Sequence, residues 1–278
     1  MNRVVAQMLE RIPQASDAER SQGLREVMQE IALAGLYRRG FFSKAAFYGG
    51  TCLRIFHQLA RFSEDLDFSL LEPDPHFSLQ PYLMGLEEEF GALGISVEAK
   101  VKQKTTKSAI VSAFLKPSTT IVQLAIRGGP ILKIKLEVDT EPPLGFNTEE
   151  KLLLQPYSFY VKCFCLPDLF AGKMHAVLFR QWQKRVKGRD WFDLEWYGRQ
   201  GIPLHLSHLA ERARQSGHWP GDEPFTAASL QALLDERITR LDVDNARKDI
   251  ERFIADPQPL AIWSKQYFQA LGRGIQVT

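Results

Sequence analysis

Apolar positions along this chain follow two periods. Leu24, Val27, Met28, Ile31 and Ala34 recur at helical spacing, which predicts a helix over residues 18–34 with Gly35 as its stop. Cys52, Ile55, Phe56 and Leu59 repeat that period over a shorter stretch, and 79–93 reads as a further helix. Strict alternation appears in Asp65-Leu66-Asp67-Phe68 and from Leu132 to Val138, predicting half-buried strands, with others over 95–104 and 109–116. Beyond residue 168 the helical period dominates, over 168–183, 190–199, 206–215, 226–239, 242–254 and 259–271. Pro220, Pro224, Pro257 and Pro259 punctuate this region. The expected organisation is an α/β domain with an N-terminal helix over 1–166, then a helical C-terminal domain over 167–278, without internal repeats.

The chemistry begins at Tyr48-Gly49-Gly50-Thr51, which opens the short helix, and continues at Arg61-Phe62-Ser63-Glu64-Asp65-Leu66-Asp67-Phe68 on its far side. Backbone N–H groups of Gly49, Gly50 and Thr51 at a helix N-terminus suit a phosphate. Asp65 and Asp67, two apart on a strand, project to one face while Leu66 and Phe68 anchor the other. Paired carboxylates of this kind suit a hard divalent ion beside a nucleoside triphosphate, because such an ion takes oxygen ligands and stabilises an in-line phosphoryl displacement. Separately, each motif is common in turns and solvated strand ends; the order of glycine turn, helix and acidic strand is what points to catalysis.

That order resembles the DNA polymerase beta-like nucleotidyltransferase superfamily and, more narrowly, the AbiEii/AbiGii-type nucleotidyltransferase toxin family. A second segment is similar to the narrower family's lysine helix and its Arg-Asp-x-x-Asp helix: Leu166-Pro167-Asp168-Leu169-Phe170-Ala171-Gly172-Lys173-Met174-His175, followed by Gly188-Arg189-Asp190-Trp191-Phe192-Asp193. The likeness runs from about Phe42 to about Tyr197. It implies a polymerase beta-like mixed sheet with flanking helices, followed by a mostly helical C-terminal region. It also implies that Lys173 faces the triphosphate and that Asp193 is needed for activity. The superfamily supplies a third carboxylate from another strand. Lys133, Lys135, Glu137 and Asp139 share a strand face, and Glu137 is preferred because Asp139 lies at the frayed end; a surface ladder of paired Lys and Glu is the competing explanation.

The resemblance further implies Mg²⁺ or Mn²⁺, an NTP co-substrate, an RNA acceptor such as a tRNA 3′ end, and a cognate antitoxin. Transfer to a protein or small molecule, or a non-catalytic nucleotide- or RNA-binding module, are the alternatives. With 278 residues, 45% hydrophobic and 24% charged, the chain can bury a substantial core. A net charge of only +2 leaves nucleic-acid binding to local clusters. Two such clusters are Lys100, Lys102 and Lys104 on one strand, and Lys184, Arg185, Lys187 and Arg189 beside Trp182. Cys52, Cys163 and Cys165 lack zinc spacing, and no signal or long apolar run is read, so a cytoplasmic protein without membrane contact is expected.

Overall fold

The computed structural model describes residues 2–12, 16–102, 119–126, 133–180 and 186–278. The expected strand over 109–116, together with Lys104, Trp182, Lys184 and Arg185, lies outside them. The chain divides into two compact units: residues 1–58, 62–142 and 148–163 form the first, and 59–61, 143–147 and 164–278 the second.

The first unit is built on a seven-stranded sheet among the described residues. Its strands are β1 (Ala45–Tyr48), β2 (Asp65–Leu70), β3 (Val97–Lys102), β4 (Thr119–Ile126), β5 (Lys133–Asp139), β6 (Thr148–Leu153) and β7 (Phe159–Phe164), in spatial order β3-β4-β5-β2-β1-β7-β6. The central strand β2 runs antiparallel to β1 and parallel to β5. Its alternation is realised as expected: Leu66 and Phe68 are fully buried, whereas Asp65 and Asp67 stay half-exposed. Below the acids, the Phe68 ring meets Phe41 at 4.9 Å and Phe47 at 5.2 Å, so the strand that carries the charges is fixed by an aromatic core.

Helices α1 (Arg3–Glu10) and α2 (Asp17–Arg38) open this unit, and α3 (Gly49–His57) and α4 (Gln80–Ala92) follow. Gly35 does not stop α2, which continues to Arg38. A Cβ at Gly35 would lie 2.9 Å from the Gly85 carbonyl oxygen and 3.0 Å from Leu86 Cα, so this glycine serves close packing of α2 against α4. Buried Gln29 of α2 donates to the carbonyls of Ser63 and Glu64, both at 3.1 Å, pinning the segment that leads into β2.

The second unit is helical: α5 (Leu166–Phe179), α6 (Gly188–Gln200), α7 (Leu206–Gln215), α8 (Ala227–Thr239), α9 (Val243–Glu251) and α10 (Lys265–Arg273). The helix read over 259–271 is instead a 3₁₀ turn over Gln258–Ile262 followed by α10, which Ser264 caps by accepting from the Tyr267 N–H. Phe170 stacks on Tyr197 at 4.3 Å where α5 meets α6, and Trp263 and Trp191 close on Phe268. No helix among the described residues is long and apolar enough to cross a membrane.

Candidate active site

Gly49 begins α3 directly after β1, with a backbone φ of +83° that an L side chain rarely adopts. Steric room is also lacking, because a Cβ there would approach the Asp67 Oδ2 to 2.7 Å. The glycine turn and the second acid are therefore built against each other. Buried Thr51 ties in the first acid: its hydroxyl donates to the backbone carbonyl of Asp65. The Thr51 side chain thus holds the acidic strand in place, while its backbone N–H lies in the first turn of α3, where the phosphate contact was expected.

On the neighbouring parallel strand, Asp67 stands opposite Glu137, Asp65 opposite Lys135 and Ser69 opposite Asp139. Lys135, Glu137 and Asp139 alternate with buried Ile134, Leu136 and Val138, so they share the half-exposed face of the two aspartates. Glu137 forms an ion pair with Lys135, which is the ladder contact that competed with the carboxylate reading. Asp139 instead accepts from the Glu141 N–H at 3.1 Å and shapes the turn after β5. Among the described residues, no three His, Cys, Asp or Glu side chains close into a ready metal cage. Asp65 and Asp67 nevertheless form an all-oxygen donor pair on one strand face, with Glu137 directly opposite Asp67 on β5, a donor set that fits Mg²⁺ or Mn²⁺.

The lysine helix carries a different centre, contained in the second unit. Lys173 Nζ lies 2.8 Å from Asp190 Oδ1 and 2.7 Å from Asp193 Oδ2. Arg61 grips Asp193 with both arms of its guanidinium, Nε to Oδ1 at 2.5 Å and Nη2 to Oδ2 at 2.7 Å. Arg180 reaches the other oxygen of Asp190 at 3.1 Å. Arg61 and Asp193 are almost wholly buried, at 3% and 0% side-chain exposure. Burial alone would raise the Asp193 carboxyl, but Arg61 and Lys173 outweigh it and hold it below the usual carboxylate range. For Asp190 the same opposition to burial comes from Lys173 and Arg180, with the same result. Both acids are therefore ionised under a shared set of cations.

Sequence reading singled out Lys173 and Asp193 but missed their partners. Arg61 stands within the first motif, four residues before Asp65, yet nothing in its spacing signals a carboxylate 132 residues away. Asp190 was in view as part of Arg-Asp-x-x-Asp; its position three residues before Asp193 on α6 puts both on one helix face, the signal that would have paired them.

Two solved structures from Helicobacter pylori share the fold. A candidate nucleotidyltransferase from H. pylori aligns over 90% of this chain and 92% of its own, at 16% identity and a TM-score of 0.51. JHP933 from Helicobacter pylori aligns over 90% and 89%, at 16% identity and a TM-score of 0.52. MenT4, a nucleotidyltransferase toxin from Mycobacterium tuberculosis H37Rv, aligns over 98% of both chains at 18% identity, with a TM-score of 0.46. No curated protein matches the chain. The sequence profile of the nucleotidyl transferase AbiEii toxin, a type IV toxin–antitoxin system component, matches residues 31–271, a span that contains the glycine turn, the acidic strand and the lysine helix. The chain belongs to the AbiEii family of nucleotidyltransferase toxins.

Proposed function

We propose that the protein moves a nucleoside monophosphate from an NTP to an acceptor hydroxyl on RNA, at the 3′ end of a tRNA, and that a cognate antitoxin restrains it. The observation that carries this reading is the face shared by Asp65, Asp67 and Glu137, begun by a glycine whose missing side chain makes room for the Asp67 carboxylate. Asp65 and Asp67, with Glu137, would hold Mg²⁺ or Mn²⁺. That ion supplies Lewis-acid polarisation of the phosphoryl oxygens and neutralises charge as it develops.

The remaining work falls to the chain's own groups. Backbone N–H groups of Gly49, Gly50 and Thr51 bind phosphate oxygens at the start of α3. Glu137 takes the proton of the acceptor hydroxyl, whose oxygen bonds to the α-phosphorus as the bond to the bridging oxygen of the β-phosphate breaks. Pyrophosphate departs, and Lys173 Nζ compensates its charge. Asp193 aims that lysine and is itself aimed by Arg61.

Incubating the purified protein with each labelled NTP, Mg²⁺ and total RNA, then sizing the products, tests the reading. Metal-dependent label in tRNA-sized RNA is the expected result. Label confined to protein or small molecules would replace the acceptor, and NTP binding without transfer to anything would leave a binding module in place of an enzyme.

A further inference from the structure

The two acids on β2 are held differently. Asp67 has a strand register partner on either side, Tyr48 of β1 and Glu137 of β5. Asp65 stands opposite Lys135 of β5, but on the other side β1 has already ended at Tyr48, and Gly49 turns the chain into α3. Side-chain donors hold this end of the strand instead. Gln29 Nε2, on α2, donates to the carbonyl oxygens of Ser63 and Glu64, each at 3.1 Å, and the Thr51 hydroxyl, on α3, donates to that of Asp65. Three successive carbonyls thus each receive a side-chain donor, and both donors are buried, Gln29 to 1% exposure and Thr51 to 0%.

Those carbonyls belong to the planar peptide units on both sides of Glu64 and of Asp65. Holding the planes fixes the backbone torsions of both residues, and with them the direction in which the Asp65 side chain leaves the strand. A side chain that only filled space at position 29 would be apolar, as buried Val27, Met28 and Ile31 on the same helix are. A buried amide is costly unless its hydrogens are bonded, and in apolar surroundings the bonds that it makes are strong. We propose that Gln29 is a positioning residue for the metal: together with Thr51 it aims the Asp65 carboxylate, and so sets the affinity of the acid pair for a divalent cation. The inference rests on the metal-dependent nucleotidyl-transfer reading above and extends it to a residue outside both motifs. Mg²⁺ demands near-octahedral oxygen placement, so a carboxylate turned away from its direction loses affinity even where the fold is intact.

The test is calorimetric titration of the full chain with Mn²⁺ alone, beside urea unfolding and an independent assay of transfer from labelled NTP. Gln29→Leu removes both donors and should weaken Mn²⁺ binding by roughly tenfold or more. Gln29→Glu keeps the shape and offers at most one hydrogen, so it should fold more readily and lose less affinity. Leu36→Ala, a cavity at a buried position of the same helix, lowers stability without touching the carbonyls and should bind Mn²⁺ like the parent. Parent-like Mn²⁺ affinity in folded Gln29→Leu overturns the inference, as does parent-like affinity in Gln29→Glu should the leucine variant not fold. A loss in Leu36→Ala as large as that in the Gln29 variants, or a parent that binds no Mn²⁺, also overturns it. A parent whose Mn²⁺ affinity depends on Gln29 but which transfers no nucleotide would overturn the function and not the positioning role, so the two failures are distinguishable.

Discussion

Asp67 on β2 faces Glu137 across a parallel strand pair, while Asp139, two residues further on, is spent on the turn that follows β5. This difference predicts the third carboxylate. Glu137→Gln should slow transfer by roughly 10²-fold or more, as should Asp65→Asn or Asp67→Asn, without loss of secondary structure. Asp139→Asn should retain activity within severalfold. Rates from labelled NTP, with circular dichroism to check folding, decide the matter, and the reverse pattern would transfer the role to Asp139.

Gly49→Ala should fail twice. The backbone would be forced to hold an L residue at φ +83°, at roughly 1–3 kcal/mol, and the new methyl would displace the Asp67 carboxylate. We expect a modest fall in denaturation midpoint and a much larger fall in transfer rate. Equal proportional losses would mean that the glycine serves the turn alone.

Arg61→Met removes the two-armed guanidinium grip on Asp193 and leaves that buried carboxylate facing the Lys173 ammonium. Breaking a buried pair from one side costs about 3–5 kcal/mol, so urea unfolding should show a large loss of stability. In the parent, Asp190 and Asp193 are held below their ordinary value of 3.8 by their cations. Their contribution is therefore complete above that value and lost as pH falls through the lower folded-state values. Arg61→Met should begin acid unfolding at a higher pH than the parent, and an unchanged acid limb would separate Arg61 from the ionisation of Asp193.

Histidines shape a different pH window. Burial, reinforced by Lys151, pushes His57 down from 6.5 to about 4, and burial with Arg212 pushes His208 to about 3. Between pH 6.5 and 4 the unfolded chain takes up protons that the folded chain refuses, so stability falls as pH falls through that range. His208→Phe keeps an aromatic ring beside Phe146 and Phe164 and removes one titrating group. The slope of unfolding free energy should then flatten, by up to about 1.4 kcal/mol per pH unit. A slope equal to that of the parent would assign the effect elsewhere.

Much of the molecule was legible in one dimension. The alternation around Asp65 and Asp67 determined which face of β2 is buried, because a strand has no other way to distribute two apolar and two charged neighbours. The glycine pair at a helix start and the helical character of the C-terminal half likewise followed from local periods and backbone permissiveness. Strands β1, β4 and β6 and helix α1 were not read, and Gly35 was taken for a helix end when its role is close packing between helices.

Tertiary structure alone decided who partners whom. Register between β2 and β5 set Glu137 beside Asp67 and left Asp139 to the turn, and register depends on strand pairing across some seventy intervening residues. Likewise Arg61 became the counter-charge of Asp193, and Asp190 the shared acceptor of Lys173 and Arg180, only once folding had brought them together. Local sequence carries burial and backbone preference because these act over a few residues. Charge pairing acts through space, and the chain distance between Arg61 and Asp193 holds no record of it.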